Sequence, residues 1–258
     1  MRLMKRILSA AAVLALSASL LVGCSSGTTS SVPVSASSAA ESTVSSVEET
    51  ASSAVDENEA AAAQLLNDLT GSYQELWPVI LADEYQQTWL DDCTALVGEE
   101  NAEAAFEKLS SMVTGDVYGE DAVEAYANGG GAYFCGFTND LVTLTFDGET
   151  STISGTDKDG NELFSHIYHY IGMEPVRGLY EFESDDADSG EFTYFFLAPD
   201  TSAETYHIEF RYGSDADALS QYDAGDYAYW LASGISTDCD QTMIDNCIEL
   251  FCTENLAG

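Results

Sequence analysis

The chain has 258 residues, of which 45 are Asp or Glu and 7 are Lys or Arg, and its formal net charge at pH 7 is −38. A polyanion of this kind repels the phosphate backbone of nucleic acids and the head groups of anionic lipids. The composition therefore argues against a nucleic-acid partner, and attachment to a membrane would have to come from something other than the protein surface.

The N-terminus has the pattern of an export signal. A short basic region is followed by an apolar run over residues 7–22, which is too short and too rich in small residues for a comfortable membrane span. The run ends in Leu21-Val22-Gly23-Cys24, which resembles the bacterial lipobox. We therefore predict a signal peptide over 1–23 and a lipid on Cys24 that anchors the protein to the extracytoplasmic face of the cell membrane; an ordinary signal peptide with an incidental cysteine is the alternative.

Residues 24–57 are predicted to be a disordered tether. The segment is rich in Ser and Thr, and the first aromatic residue of the chain is Tyr73. Without large apolar side chains a segment cannot offset the loss of its conformational entropy. One domain is therefore expected over 58–258.

The first part of this domain is predicted to be helical. Apolar residues recur at helical spacing over 85–96, where Gly98 can end the helix, and again over 102–113, where Gly115 can do so. The C-terminus returns to a helical pattern over 243–251, with Thr237 and Asp240 as a predicted capping box.

After a run of three glycines at 129–131 the apolar period changes to two, which is typical of strands. Asp147-Gly148 and Asp159-Gly160 are turn signals between alternating runs. Further strands are predicted over 163–171, 178–183, 192–197 and 205–212. Sequential short strands without intervening helices predict an antiparallel meander that closes or nearly closes into a barrel.

Five cysteines follow Cys24, and no two of them form a CxxC pair. This argues against a zinc ribbon and against a thioredoxin-like site. On a C-terminal helix Cys247 and Cys252 would lie about 140° apart, which disfavours a disulfide or a shared metal between them. Most of the cysteines are expected to be small core residues.

Three segments carry a family resemblance: Gly71-Ser72-Tyr73-Gln74-Glu75-Leu76-Trp77-Pro78-Val79-Ile80, then Phe195-Phe196-Leu197-Ala198-Pro199, then His207-Ile208-Glu209-Phe210-Arg211-Tyr212-Gly213-Ser214-Asp215. In this order and spacing they resemble the ZinT/YodA family of metal-binding, lipocalin-like proteins. The resemblance implies a calycin-type antiparallel β-barrel preceded by N-terminal helices and followed by a C-terminal helix. It also implies extracytoplasmic zinc binding through three histidines and assistance to a zinc ABC transporter component.

The chain departs from the family pattern at the ligands. Phe195 occupies the position of the first family histidine, and the ungapped match places His207 and Glu209 on the other two. A shift by one residue would instead pair Thr205 with His207.

His207 and Glu209 are the predicted metal ligands. Residues i and i+2 of a strand face the same side, and zinc accepts imidazole and carboxylate ligands. On the lumen side of the barrel the pair would be a half-site, and a third ligand would have to come from His166 or His169, which point to opposite faces of their strand. The alternative is a hydrogen-bonded barrel histidine beside a solvated carboxylate.

Other polar groups support weaker hypotheses. The loop Asp157-Lys158-Asp159-Gly160-Asn161 is compatible with calcium, although its Asp-Gly step already predicts a turn. The acidic residues between 181 and 188 are typical of a solvated loop.

The function predicted from these features is zinc or similar divalent-cation binding by a lipoprotein. The alternative is a barrel without a metal site that binds a small ligand or an envelope protein, its interior lined by Tyr168, Tyr170, Tyr180 and Tyr194. No catalytic motif is present, so an enzyme is not predicted.

Overall fold

The computed structural model of the chain describes residues 57–199 and 207–257. The predicted signal peptide at 1–23, the predicted lipid on Cys24 and the predicted tether up to residue 56 lie outside the described residues. Residue 57, the last of the predicted tether, already belongs to a helix.

Eight antiparallel strands form a closed barrel in which each strand pairs with its neighbour along the chain and β1 pairs with β8. Their bounds are β1 Gly71–Glu75, β2 Thr143–Asp147, β3 Thr152–Thr156, β4 Glu162–Met173, β5 Tyr180–Ser184, β6 Tyr194–Leu197, β7 His207–Gly213 and β8 Ala232–Ser236. The predicted antiparallel barrel is confirmed.

Helices flank the barrel. They are α1 over 57–68, α2 Leu76–Ile80, α3 Gln86–Val97, α4 Glu99–Val113, α5 Glu120–Ala127, α6 Ala216–Leu219 and α7 Gln241–Leu256, with short 3-10 turns at Asp83–Tyr85 and Gly190–Phe192. Apolar residues of α1 and α6 pack with the lumen core, whereas those of α2, α3, α4 and α7 form a second cluster. The predicted helices before the meander and after it are confirmed. Four of them, α2 to α5, lie in the connection from β1 to β2, because the first strand comes early, at the segment that opens the family resemblance.

Aromatic rings fill the barrel lumen. Phe195 on β6 contacts Tyr212 and Phe210 on β7 at ring-centroid distances of 5.3 and 6.3 Å, and it contacts Tyr168 on β4 at 5.4 Å. All four side chains are essentially inaccessible to solvent. Inward residues alternate with outward ones along each strand, so large apolar side chains at every second position build this core.

The lumen is packed so tightly beside β3 that position 155 requires glycine. A Cβ on Gly155 would lie 2.4 Å from side-chain atoms of Leu141 and Phe164. The strand β3 can therefore approach these side chains only with glycine at this position.

A second apolar cluster joins α2, α3, α4 and α7 to the outer face of the barrel. Trp89 on α3 lies at its centre, is fully buried, and donates from Nε1 to the carbonyl of Ile80 at 2.7 Å. Full burial of a large apolar side chain contributes about 2–3 kcal/mol, so Trp89 is a principal anchor of these helices.

The helix ends agree with the sequence in part. Gly98 ends α3 with φ 85°, in the left-handed region that favours glycine. The predicted cap at Thr237 is wrong, because α7 begins at Gln241 and its N-cap is Asp240, which accepts from the backbone N–H of Met243 at 3.0 Å. None of the helices in the two described ranges is long and apolar enough to cross a membrane.

Candidate metal site on the outer face of β7

His207 and Glu209 lie on the same face of β7, as their spacing predicts. Both are half-buried, whereas the intervening Ile208 and the following Phe210 are fully buried. The two polar side chains line one cavity of about 30 Å³. The opposite wall of this cavity is formed by residues of α2 and α7: Leu76, Trp77, Ile80, Cys247, Leu250, Phe251 and Glu254.

The cavity lies outside the barrel, so the expectation that His207 and Glu209 face the lumen is wrong. Phe210 and Tyr212 project from β7 into the lumen and pack against Phe195 there. Successive side chains of a strand point to opposite sides, so the odd-numbered residues of β7 face outward. The helices α2 and α7 cover that outer face, which is why a half-buried histidine can occur on the outside of the barrel.

Neither of the other histidines lines this cavity. His166 and His169 are on β4, and each pairs with a carboxylate of the loop after β5: His166 Nδ1 lies 2.7 Å from Asp186 Oδ2, and His169 Nδ1 lies 2.7 Å from Asp185 Oδ1. His166 is the more buried of the two, with 16% of its side chain exposed against 53% for His169. The acidic loop, predicted to be solvated, therefore also holds both of these imidazoles.

The remaining polar groups of the cavity are on α7. Glu254 is exposed in the last turn of the helix, and Cys247 is buried. Burial raises the pKa of the Cys247 thiol to about 12, and the thiol therefore stays protonated at neutral pH. Within 57–199 and 207–257 there is no group of three or more His, Cys, Asp or Glu side chains already placed to hold a metal ion.

Glu209 also acts on a neighbouring thiol. Burial, and after it the negative charge of Glu209, raise the pKa of Cys135 to about 12. The carboxylate is thus close to two protonated thiols, Cys135 and the Cys247 of the cavity wall.

The loop at Asp157 forms a turn, not an arrangement of ligands around a cation. One carboxylate oxygen of Asp157 accepts from the backbone N–H groups of Asp159 and Asn161, each at 2.8 Å, and the other accepts from Asn161 Nδ2 at 2.9 Å. These hydrogen bonds lower the pKa of Asp157. Both oxygens are engaged within the turn, which supports the hairpin explanation over calcium.

The sequence analysis predicted a tyrosine-lined space for a ligand inside the barrel, whereas the interior around Tyr168 is filled by packed side chains. Tyr168 lies in the lumen, but its ring is packed against Phe195 and its hydroxyl donates to the carbonyl of Phe192. Tyr194 follows the opposite alternation, and its hydroxyl donates to Glu183 at 3.2 Å. This part of the lumen is packed core, with its tyrosines engaged in internal contacts.

A larger opening lies elsewhere, and the sequence analysis missed it. A cleft of about 340 Å³ is lined by α2, by the end of α4 and by residues 134–136. Glu75 lies at its wall and accepts from the backbone N–H of Phe137 at 2.6 Å. Trp77 lines both this cleft and the small cavity, and its Nε1 is buried. Only the segment 71–80, already singled out for its resemblance, pointed to these residues.

No protein-family model matches the chain, and no curated protein matches it. Among solved structures, it is similar to the Zn(II)-bound ZinT-like domain of AdcA from Streptococcus pneumoniae, at 14% identity and a TM-score of 0.44, over 70% of this chain and 87% of that one. It is also similar to Zn(II)-bound AdcA itself, at 13% identity and a TM-score of 0.41, over 71% of this chain and 34% of that one. The chain thus spans about a third of the AdcA structure, and a likeness at this level identifies no ligand for it.

Proposed function

We propose that this protein binds a divalent metal ion, zinc or a similar cation, in the cavity between β7 and α7. The observation that carries the proposal is that His207 and Glu209 line one cavity of about 30 Å³ from the same face of one strand. An imidazole and a carboxylate are both zinc ligands, with bonds of about 2.0–2.2 Å. A cavity of this size holds one small ion with a water molecule, not an organic ligand.

The third protein ligand in this proposal is on the opposite wall. Glu254 is exposed in the last turn of α7 and lines the same cavity. In this proposal its side chain turns towards His207 and Glu209 when the cation enters, and water completes the coordination. The net charge of −38 favours such a cation, since the field of the protein raises its concentration near the surface.

The proposal includes a location and a partner. The pattern of residues 1–24 supports export and attachment of Cys24 to a lipid on the extracytoplasmic face of the membrane. A protein held there could pass its cation to a zinc ABC transporter component. The role proposed is binding and delivery, not catalysis.

Calorimetric titration of the metal-free protein with zinc tests the site. We expect a single site whose affinity falls by more than about tenfold in His207→Ala and in Glu209→Gln, because each removes a direct ligand. His169→Ala is the matched control, since it removes an exposed imidazole on β4 that already pairs with Asp185. Equal affinity in the His207→Ala and His169→Ala proteins would contradict the proposal.

The cleft beside α2 supports a second candidate function, which is the binding of a small organic ligand. Its volume of about 340 Å³ lies within the range of small-molecule sites. Its lining combines aromatic rings with the carboxylate of Glu75. A screen of small ligands by Trp fluorescence, with Trp77→Phe as the comparison, would support it if binding changes a signal that this variant lacks. No binder, or a signal that survives the substitution, would contradict it.

A further inference from the structure

Two cysteines far apart in the chain meet in the helical cluster. Cys93 on α3 and Cys252 on α7 are separated by 159 residues, yet their sulfur atoms lie 3.9 Å apart. Both side chains are fully buried. The contact joins two packed helices. Both sulfur positions are therefore set by the packing of the helices and not by a surface loop.

We propose that Cys93 and Cys252 form an intrachain disulfide that crosslinks α3 to α7. A disulfide requires the sulfur atoms to approach to about 2.05 Å. The two sulfur atoms lie 3.9 Å apart, so the bond requires them to approach by a further distance of about 1.9 Å, and we expect rotation about the Cα–Cβ bonds of the two cysteines to supply it. The proposal is independent of the metal site.

The geometry selects this pair among the cysteines of the domain. Cys247 is on the same helix as Cys252, but it lines the cavity beside β7. Cys135 lies in the segment that lines the cleft, and Cys239 precedes α7 and is only partly buried. A crosslink between Cys93 and Cys252 therefore leaves three of the five thiols, those of Cys135, Cys239 and Cys247, in their reduced form.

The bond forms by exchange with an oxidised low-molecular-weight disulfide such as glutathione disulfide. One protein thiolate attacks it and releases one glutathione thiolate, leaving a mixed disulfide; the second protein thiolate attacks the protein sulfur and releases the other. The two protons of the protein thiols go to the released glutathione thiolates, and glutathione takes up the two electrons.

The thiol–disulfide exchange takes place during folding or while α7 is detached from α3. Burial raises the pKa of both thiols, and the thiolates needed for exchange are scarce in the folded protein. In the unfolded chain both cysteines are accessible, and the native packing of α3 against α7 then favours this pair.

Refolding in a glutathione redox buffer tests the proposal. The full chain, carrying Cys24→Ser, is reduced and unfolded, refolded in a mixture of reduced and oxidised glutathione, and then blocked with N-ethylmaleimide in denaturant, so that buried thiols also react. The blocked protein is digested without reduction by a protease that cleaves after acidic residues, and the peptides are identified by mass spectrometry. We expect a peptide containing Cys93 linked to one containing Cys252, with the label on the other three cysteines. Labelling of Cys93 and Cys252 as complete as that of Cys247 would overturn the proposal.

Variants and a thermal measurement separate the crosslink from a purely structural role of the cysteines. Cys247→Ser is the matched control, being a buried position on the same helix, and it should retain the crosslink, whereas Cys93→Ser should lose it. If Cys93→Ser does not fold, thermal unfolding of the parent protein tests the proposal. Its thermal midpoint should be higher after refolding with oxidised glutathione than after reduction. Equal midpoints would overturn the proposal.

Discussion

Phe195 and His207 lie on opposite faces of the barrel wall. Phe195 is fully buried in the lumen against Tyr212, while His207 lines the cavity between β7 and the outer helices. A ligand at position 195 could not share a cation with His207, because the strand itself separates the two side chains. A histidine at position 195, which the ZinT/YodA resemblance would imply, could therefore not act together with His207.

Introduction of a histidine at position 195 should consequently fail to raise the affinity of the proposed site for zinc. We expect Phe195→His to lower the free energy of unfolding by about 2–4 kcal/mol, because it replaces a core ring by a smaller polar one without partners. The zinc affinity of the folded fraction should stay unchanged. Urea denaturation and calorimetric titration measure the two effects, and Phe195→Leu is the control for lost volume. A gain in zinc affinity would contradict the proposed location of the site.

Arg211 is predicted to be a major contributor to stability. Its guanidinium is fully buried on the outer side of β7, donates to the carbonyls of Leu219, Gln221 and Tyr227, and lies 4.4 Å from the centre of the Tyr222 ring. Its removal leaves those carbonyls buried and without their donor.

Arg211→Met should therefore lower the free energy of unfolding by about 3 kcal/mol, as measured by urea denaturation. Lys158→Met is the comparison, since Lys158 is 79% exposed and pairs with the neighbouring Asp159; its effect should be below about 0.5 kcal/mol. Similar losses in both variants would show that the buried network contributes little.

The free energy of unfolding should depend on pH through Asp92 on α3, and the groups around this carboxyl determine the sign of the dependence. Partial burial, and then the charges of Glu249, Asp245 and Asp91, raise its pKa above the usual value. In the unfolded chain the pKa is lower, so at neutral pH the ionised carboxylate costs stability in the folded state, and this cost disappears as the pH falls through the raised pKa.

Replacement of this carboxyl should thus stabilise the protein at neutral pH. We expect Asp92→Asn to raise the thermal midpoint at pH 7, with the difference from the parent shrinking as the pH falls towards the pKa of the parent's carboxyl. Asp157→Asn should act in the opposite direction at pH 7, because hydrogen bonds from Asn161 and the turn lower the pKa of Asp157. A destabilising effect of Asp92→Asn at pH 7 would contradict this account.

The barrel itself could be predicted from the sequence because its signals are local. Alternation over residues 142–146 and the Asp-Gly turns after 146 and 158 mark hairpins that need only neighbouring residues to form. Gly98 marks a helix end for the same reason. Strands β1 and β8 were not predicted, since each is short and pairs across the barrel with a partner far along the chain.

The side of the wall on which His207 lies could not be predicted. The two-residue period of a strand shows that His207 and Glu209 share a face. However, β7 is covered on both faces, by aromatic rings in the lumen and by helices outside. An apolar residue at every second position then fails to distinguish lumen from exterior. The burial of Arg211 and the contact of Cys93 with Cys252 depend in the same way on tertiary packing between distant segments.

Zinc K-edge X-ray absorption on the zinc-loaded protein tests the central claim most directly. The proposed site predicts a first shell of one imidazole nitrogen with carboxylate and water oxygens at about 2.0–2.2 Å, with no sulfur, and loss of the imidazole contribution in His207→Ala but not in His169→Ala. A shell made only of oxygen would show that zinc binds elsewhere on this acidic surface, and a shell containing sulfur would show that a thiol takes the place of a proposed ligand; either result would contradict the assignment.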